Sequence, residues 1–311
     1  MASTLSCFFA SPFSAWADED QKGISVSPMF QEISLGEGQS SQTFSIEAFN
    51  TTDTLITLRL SVLDFGSLDE SGGVAFLGAE QNFEKQYSIA SWIRLDRDAL
   101  VLGPGESQSV QVTFENRDSL SPGGHYGAVV FKVENSGSDT VDENGKSKIA
   151  ISQSFSSLVF AKKVGGVLYD LNMRSVERET NWFHLPASIT TRFQNKGNVH
   201  VVPRGTIVVT DPLGKVVQKG VINPESAIIL PETFRSYVTR PVLLGAALVP
   251  GYYTLTTQYR YDGRDDVITH SFRFTYVPFF EIVPMIVLLG GFVWWRKKKV
   301  GAEKSKVNRS A

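Results

Sequence analysis

The residue types that most often carry chemistry are sparse in this chain, and their spacing gives them little to work with. Four histidines, His125, His184, His200 and His270, lie far apart, with no second histidine two or four positions away to complete a ligand pair. The single cysteine, Cys7, stands near the N-terminus, so a disulfide framework, a cysteine metal site and a cysteine nucleophile are all excluded from the body of the chain. No serine elbow, HExxH helix, phosphate loop or dinucleotide fingerprint occurs. Two acidic clusters, Asp139-Asp142-Glu143-Asn144-Gly145 and Asp262-Asp265-Asp266, lack the alternating oxygen ligands of a calcium loop and read as hairpin turns. Leu230-Pro231-Glu232-Thr233 imitates a sortase signal, but Phe234 stands where that signal needs glycine, and the segment reads as an ordinary turn. The expectation is a protein that is no enzyme and has neither metal nor cofactor.

What remains is a scaffold for binding. Of 311 residues, 42% are hydrophobic and 20% charged, the balance of folded globular material. The net charge of −2 is unevenly placed: seven basic residues against Glu303 give the last sixteen positions +6, which leaves −8 for the rest. An acidic body makes nucleic acid an improbable partner. A basic tail following an apolar run points to a membrane. That run, 277–295, has Glu281 as its one charge, spans roughly 28 Å as a helix, and ends in Trp294-Trp295 and Arg296-Lys297-Lys298-Lys299. It reads as a transmembrane helix with interfacial tryptophans, a stop-transfer cluster and a cytoplasmic tail, 296–311. At the other end, 1–17 is apolar and closes with Ala15-Trp16-Ala17 before Asp18-Glu19-Asp20, which reads as a signal peptide cut after Ala17 with Ala15 at −3. Together these predict a single-pass protein of the cell membrane, N-terminus outside and C-terminus cytoplasmic.

Between them, apolar residues alternate with polar ones in short runs: Phe44-Ile46-Ala48, Leu58-Leu60-Val62, Val110-Val112-Phe114, Val129-Phe131-Val133, Ile149-Ile151, then Ile207-Val209, Leu255-Thr257-Tyr259 and His270-Phe272-Phe274-Tyr276. Turn residues separate them, which predicts an all-β body. A weak repeat divides it. Ala99-Leu100-Val101-Leu102 and Ala227-Ile228-Ile229-Leu230 are each followed 23 positions on by a turn, Pro122-Gly123-Gly124-His125-Tyr126 and Pro250-Gly251-Tyr252-Tyr253. Phe49-Asn50 and Phe193-Gln194-Asn195 end matching strands. The expected architecture is two tandem immunoglobulin-like β-sandwiches, 24–163 and 167–276, the first enlarged by an insertion near 65–91. Pro122, Gly123, Gly124 and Tyr126, with Pro250, Gly251 and Tyr252, are expected to form corner turns, the tyrosines tying each turn to its sandwich.

Val26-Ser27-Pro28, Leu100-Val101-Leu102-Gly103-Pro104-Gly105-Glu106-Ser107 and Pro122-Gly123-Gly124-His125-Tyr126-Gly127 resemble the WxL-interacting protein family of bacterial surfaces, and the order of parts resembles that family too. The resemblance implies a cell-surface protein whose first domain binds peptidoglycan, whose second domain binds host proteins and whose partners carry WxL modules. The segments around Asn195-Lys196-Gly197-Asn198 and Pro203-Arg204-Gly205 depart from the family's second domain, and no ligand-binding residue carries over. The expectation is a binding or scaffolding module of the cell envelope. The alternative is a chaperone-like accessory of a secretion or pilus system, holding client strands on an exposed sheet edge.

Overall fold

The computed structural model describes residues 23–36, 38–76, 85–116, 120–134, 153–179 and 182–307, with backbone alone at 281, 285 and 298–307. The expected signal site at Ala15 and Ala17, the strand at Ile149-Ile151 and the first acidic cluster lie outside these residues.

The body is all-β, as the alternation predicts. The first unit contains β1 (Ile24–Ser27), β2 (Phe30–Leu35), β3 (Ser41–Asn50), β4 (Ile56–Ser67), β5 (Val74–Phe76), β6 (Ile93–Leu95), β7 (Ala99–Leu102), β8 (Ser107–Glu115), β9 (Gly123–Glu134) and β10 (Ser154–Lys163). One sheet runs β1-β3-β8-β6, and the other runs β2-β10-β9-β4, with β5 and β7 both on β4. The second unit contains β11 (Leu171–Arg178), β12 (Ile189–Asn195), β13 (Arg204–Thr210), β14 (Val216–Ile222), β15 (Phe234–Thr239), β16 (Val242–Leu243), β17 (Gly251–Tyr261) and β18 (Arg264–Tyr276), in sheets β11-β12-β15 and β16-β14-β13-β17-β18. Each unit has its own core between its two sheets: Ile46, Leu58, Val110, Val112 and Phe131 in the first, Ile189, Phe193, Ile207, Val209 and Leu255 in the second.

The repeat extends to side-chain chemistry. Asn50 and Asn195 are both fully buried at a strand end. Asn50 donates from Nδ2 to the carbonyl of Thr54 at 2.8 Å and of Leu102 at 3.1 Å, and accepts from the N–H of Thr52 at 2.9 Å. Asn195 repeats this with Val199 at 2.8 Å, Ile229 at 3.1 Å and the N–H of Gly197 at 2.9 Å. A buried amide must satisfy both its donor and its acceptor. Here one side chain stitches the turn that follows it to the aligned segment about 30–50 residues away.

Helix α1 (Phe279–Val307) follows β18 after two residues. Among the described residues no helix is long and apolar enough to cross a membrane. Side chains are described without a break over 286–297 of this helix. Within that run Ile286, Val287, Leu288, Leu289, Phe292, Val293, Trp294 and Trp295 are all exposed.

Candidate functional site

The site begins with strand β10. Gln153 accepts at its carbonyl from the N–H of Val133, its partner in β9. In an antiparallel ladder hydrogen-bonded and non-bonded pairs alternate. Odd-numbered residues of β10 therefore bond toward β9, and even-numbered ones turn N–H and C=O the other way. Leu158 does so, donating to the carbonyl of Met29 at 2.9 Å. From there β2 covers β10 in parallel register, Leu158 opposite Phe30 through Lys163 opposite Leu35. Residues 154–157 pair with β9 alone. The chain leaves β1, which pairs with β3 in the opposite sheet, at Ser27 and enters β2 only at Phe30; β1 passes close to β10 and the Ser157 hydroxyl donates to the carbonyl of Pro28 at 2.6 Å, but among the described residues no strand is ladder-bonded to this side of 154–157. The outward backbone donors and acceptors of Ser154 and Ser156 thus have no strand partner among the described residues. On the inner side of this stretch Phe155 is only partly buried against the core, as is Ile24 of β1.

An open edge invites pairing, and proteins blunt such edges with charge or proline. β18 is also an edge strand, and it carries Arg264, Asp265, Asp266 and Arg273. Ser154-Phe155-Ser156-Ser157 has neither charge nor proline.

Toward its C-terminal end β10 enters the joint between the two units. Along β9, His125, Val129 and Phe131 face the core, while Tyr126 and Ala128 face the second unit. Tyr126, Phe65, Phe160 and Ala128 form a small apolar cluster against which Ile228 and Leu230 of the second unit pack. The Tyr126 hydroxyl accepts from the N–H of His200 at 2.8 Å. Gly124 donates to the carbonyl of Asn198 at 2.7 Å, where a Cβ would strike the Tyr126 hydroxyl. Beside them a cleft of about 410 Å³ is lined by Glu32, Lys162, His200, Arg204 and Asp262 among others. Its charges balance, Glu32 and Asp262 against Lys162 and Arg204: Arg204 pairs with Asp262 at 2.9 Å, and the His200 ring lies 3.5 Å from Glu32. Burial lowers the pKa of His200, against the pull of Glu32, so the ring is held neutral near pH 7. A second cavity, about 260 Å³, lies between Phe30, Phe160 and Leu230, with Arg235 on its wall.

The insertion near 65–91 contributes to this joint. Glu70, between β4 and β5, accepts from the guanidinium of Arg192 and from the Ser236 hydroxyl, and its carbonyl accepts from the Ser236 N–H at 2.8 Å. Tyr87 donates to Glu232 at 3.1 Å, which places the sortase-like tetrapeptide in an inter-unit turn.

The corner turns differ from expectation by one residue. In the first unit the ring that bonds back is His125, whose Nε2 lies 2.8 Å from the carbonyl of Ser121. In the second it is Tyr253, whose hydroxyl donates to the carbonyl of Val249 at 2.8 Å. His125 and Tyr253 are equivalent: each stands three positions after the proline and reaches the carbonyl just before it. Strand alternation puts the next or preceding residue on the other face. Tyr126 therefore serves the joint, and Tyr252 is 71% exposed. Gly123 and Gly251 have positive φ, 121° and 146°, as tight turns after Pro122 and Pro250 require. Of the second acidic cluster, Asp262 is engaged in structure, accepting from the Val202 N–H and from Arg204.

No family profile matches the chain, and no curated protein matches it. Some solved structures do. A chain from a chaperone–tip adhesin complex of CFA/I fimbriae biogenesis is 12% identical with a TM-score of 0.42, over 82% of this chain and 99% of that one. The class 5 fimbriae chaperone CfaA is 10% identical with a TM-score of 0.41, over 82% and 100%. The E. coli chaperone DraB is 12% identical with a TM-score of 0.37, over 80% and 98%. These scores are too low for a shared fold to follow from them, and the site stands on its own geometry.

Proposed function

We propose that this protein is a non-enzymatic binding module of the bacterial cell envelope that holds an extended segment of another protein as an added strand on β10. The observation that carries it is the uncharged, proline-free stretch Ser154–Ser157, whose outward backbone has no strand partner among the described residues, set where Phe155 and Ile24 are incompletely covered. The four outward backbone groups of Ser154 and Ser156, at about 0.5–1.5 kcal/mol net each, supply only a few kcal/mol. Apolar side chains of the client, seated over Phe155 and Ile24, must supply the rest, which favours a segment of alternating apolar and polar residues. Nothing among the described residues favours peptidoglycan over such a client. The module is held to the cell membrane by α1, with the sandwiches outside and the basic tail in the cytoplasm. In support, the helical backbone continues through all 29 residues of Phe279–Val307, and 277–295 holds one charge before Arg296-Lys297-Lys298-Lys299.

The test is hydrogen exchange on the detergent-solubilised full chain with a synthetic peptide of alternating valine and threonine. The amides of Ser154 and Ser156 slow on adding peptide, and Ser156→Pro, which removes a donor from the edge, abolishes the effect while leaving the melting temperature near wild type. Protection confined to β18, or none anywhere, refutes the assignment.

A further inference from the structure

Four segments of the second unit converge where α1 departs. Gly251, the first residue of β17, pairs with Tyr276, the last of β18. Thr210, the last of β13, pairs with Thr254. The β13–β14 turn, the β16–β17 connection and the start of α1 therefore share one end of the sandwich. The β11–β12 connection joins them: the N–H of Val277 donates to the carbonyl of Trp182 at 2.7 Å, Phe183 packs on Phe279 at 5.5 Å, and His184 stacks on Phe280 at 5.1 Å.

At this end the large apolar side chains point away from the core. Leu213 is 78% exposed, Tyr252 71%, Trp182 66%, and Leu244 and Leu248 58% each. Single exposed leucines are ordinary, but several drawn from separate segments to one end mark a contact surface. Exposed Lys215 and Arg273 stand among them. The nearby Asp211 is engaged by the N–H groups of Leu213 and Lys215. Tryptophan, tyrosine and leucine mixed with cations suit the boundary between headgroups and acyl chains. Continuity selects the occupant, since whatever surrounds the first turn of α1 also meets this face.

We infer that this end of the second sandwich is a lipid-contacting base, seated in the interfacial layer of the bilayer that α1 enters, with Lys215 and Arg273 at the level of anionic headgroups. The inference rests on the reading of α1 as a membrane anchor. It means that the second sandwich is clamped to the bilayer at several points and cannot swing on its helix.

The experiment uses the full chain with Cys7→Ser, reconstituted into phosphatidylcholine vesicles with and without phosphatidylglycerol. Spin labels are placed singly at Leu213→Cys and Leu248→Cys, at Leu288→Cys within α1, and at Asp265→Cys in the β17–β18 hairpin at the far end. The ratio of accessibility to oxygen over a water-soluble nickel chelate is expected to be severalfold higher at 213 and 248 than at 265, and to rise further with phosphatidylglycerol. If 213 and 248 match 265 while 288 lies in lipid, the anchor stands and the base is overturned. If 288 is also water-accessible, the anchor falls and the base with it. If 213 and 248 are shielded from both reagents, protein covers the face, and the lipid assignment is wrong.

Discussion

His125 and Tyr126 are adjacent in sequence and serve different masters: the imidazole closes a turn inside the first unit, and the phenol holds the second unit in place. Tyr126→Phe leaves the His200 N–H without its acceptor at a position 1% exposed, which costs about 1–3 kcal/mol. Tyr253→Phe loses one turn-closing bond, at about 0.5–1.5 kcal/mol, and Tyr252→Ala changes stability by less than about 0.5 kcal/mol. Denaturant titration of the three variants checks this; a costly Tyr252→Ala would return the corner to that residue. Both buried histidines also set a pH dependence. Burial lowers the pKa of His125 and of His200, so the unfolded chain takes up protons first as pH falls below about 6.5. Stability from these rings is full above that value and is lost as pH drops toward the depressed folded pKa values. The melting temperature should fall between pH 7 and 5, and His200→Gln should flatten the dependence. A wild-type melting temperature that rises on acidification would contradict the neutral assignment.

Two elements of one sheet, β10 and the hairpin of β4 and β5, do unlike work at the joint. β10 is paired with β2 along its C-terminal part and, among the described residues, unpaired on that side at its start because the chain changes sheets between β1 and β2. The hairpin carries Glu70 across to Arg192 and Ser236. Hydrogen bonding from Arg192 holds the Glu70 carboxyl below its ordinary pKa. That pair is solvent-exposed, and such pairs contribute little to global stability. Glu70→Ala is therefore expected to cost less than about 1 kcal/mol while clearly speeding amide exchange through 67–74. Unchanged exchange there would mean the hairpin is held by its apolar contacts alone.

For the molecule as a whole, the decisive contact is the apolar cluster outside both cores. Phe160, 4% exposed, packs edge-on against Tyr126 at 5.5 Å, Phe65 at 5.3 Å and the His200 ring at 5.3 Å. Truncating a buried phenylalanine costs about 3–5 kcal/mol. Because the cluster joins the two units, Phe160→Ala should split one thermal transition into two and expose the connection at 164–168 to protease. A single, merely lowered transition would place Phe160 in one core only.

The sequence by itself determined what depends on local order. Alternation of period two marked the strands, since a strand shows its faces to opposite sides. The repeat marked two units, and Asn50 and Asn195 stood at matching strand ends before their shared hydrogen bonds were visible. Only the tertiary structure decided what depends on residues far apart in the chain. Nothing local says which face of β9 is core and which is joint, so the corner went to Tyr126 and Tyr252 in sequence but belongs to His125 and Tyr253. Nor could the sequence place the stretch of β10 that β2 leaves unpaired, because strand pairing is settled between segments far apart in the chain. Nor does local order bring the apolar residues at 182, 213, 244, 248 and 252 together; the registers of β13, β17 and β18 carry them to one end. Burial and pairing are properties of the assembled sheets, and a one-residue difference along a strand exchanges one surface for the other.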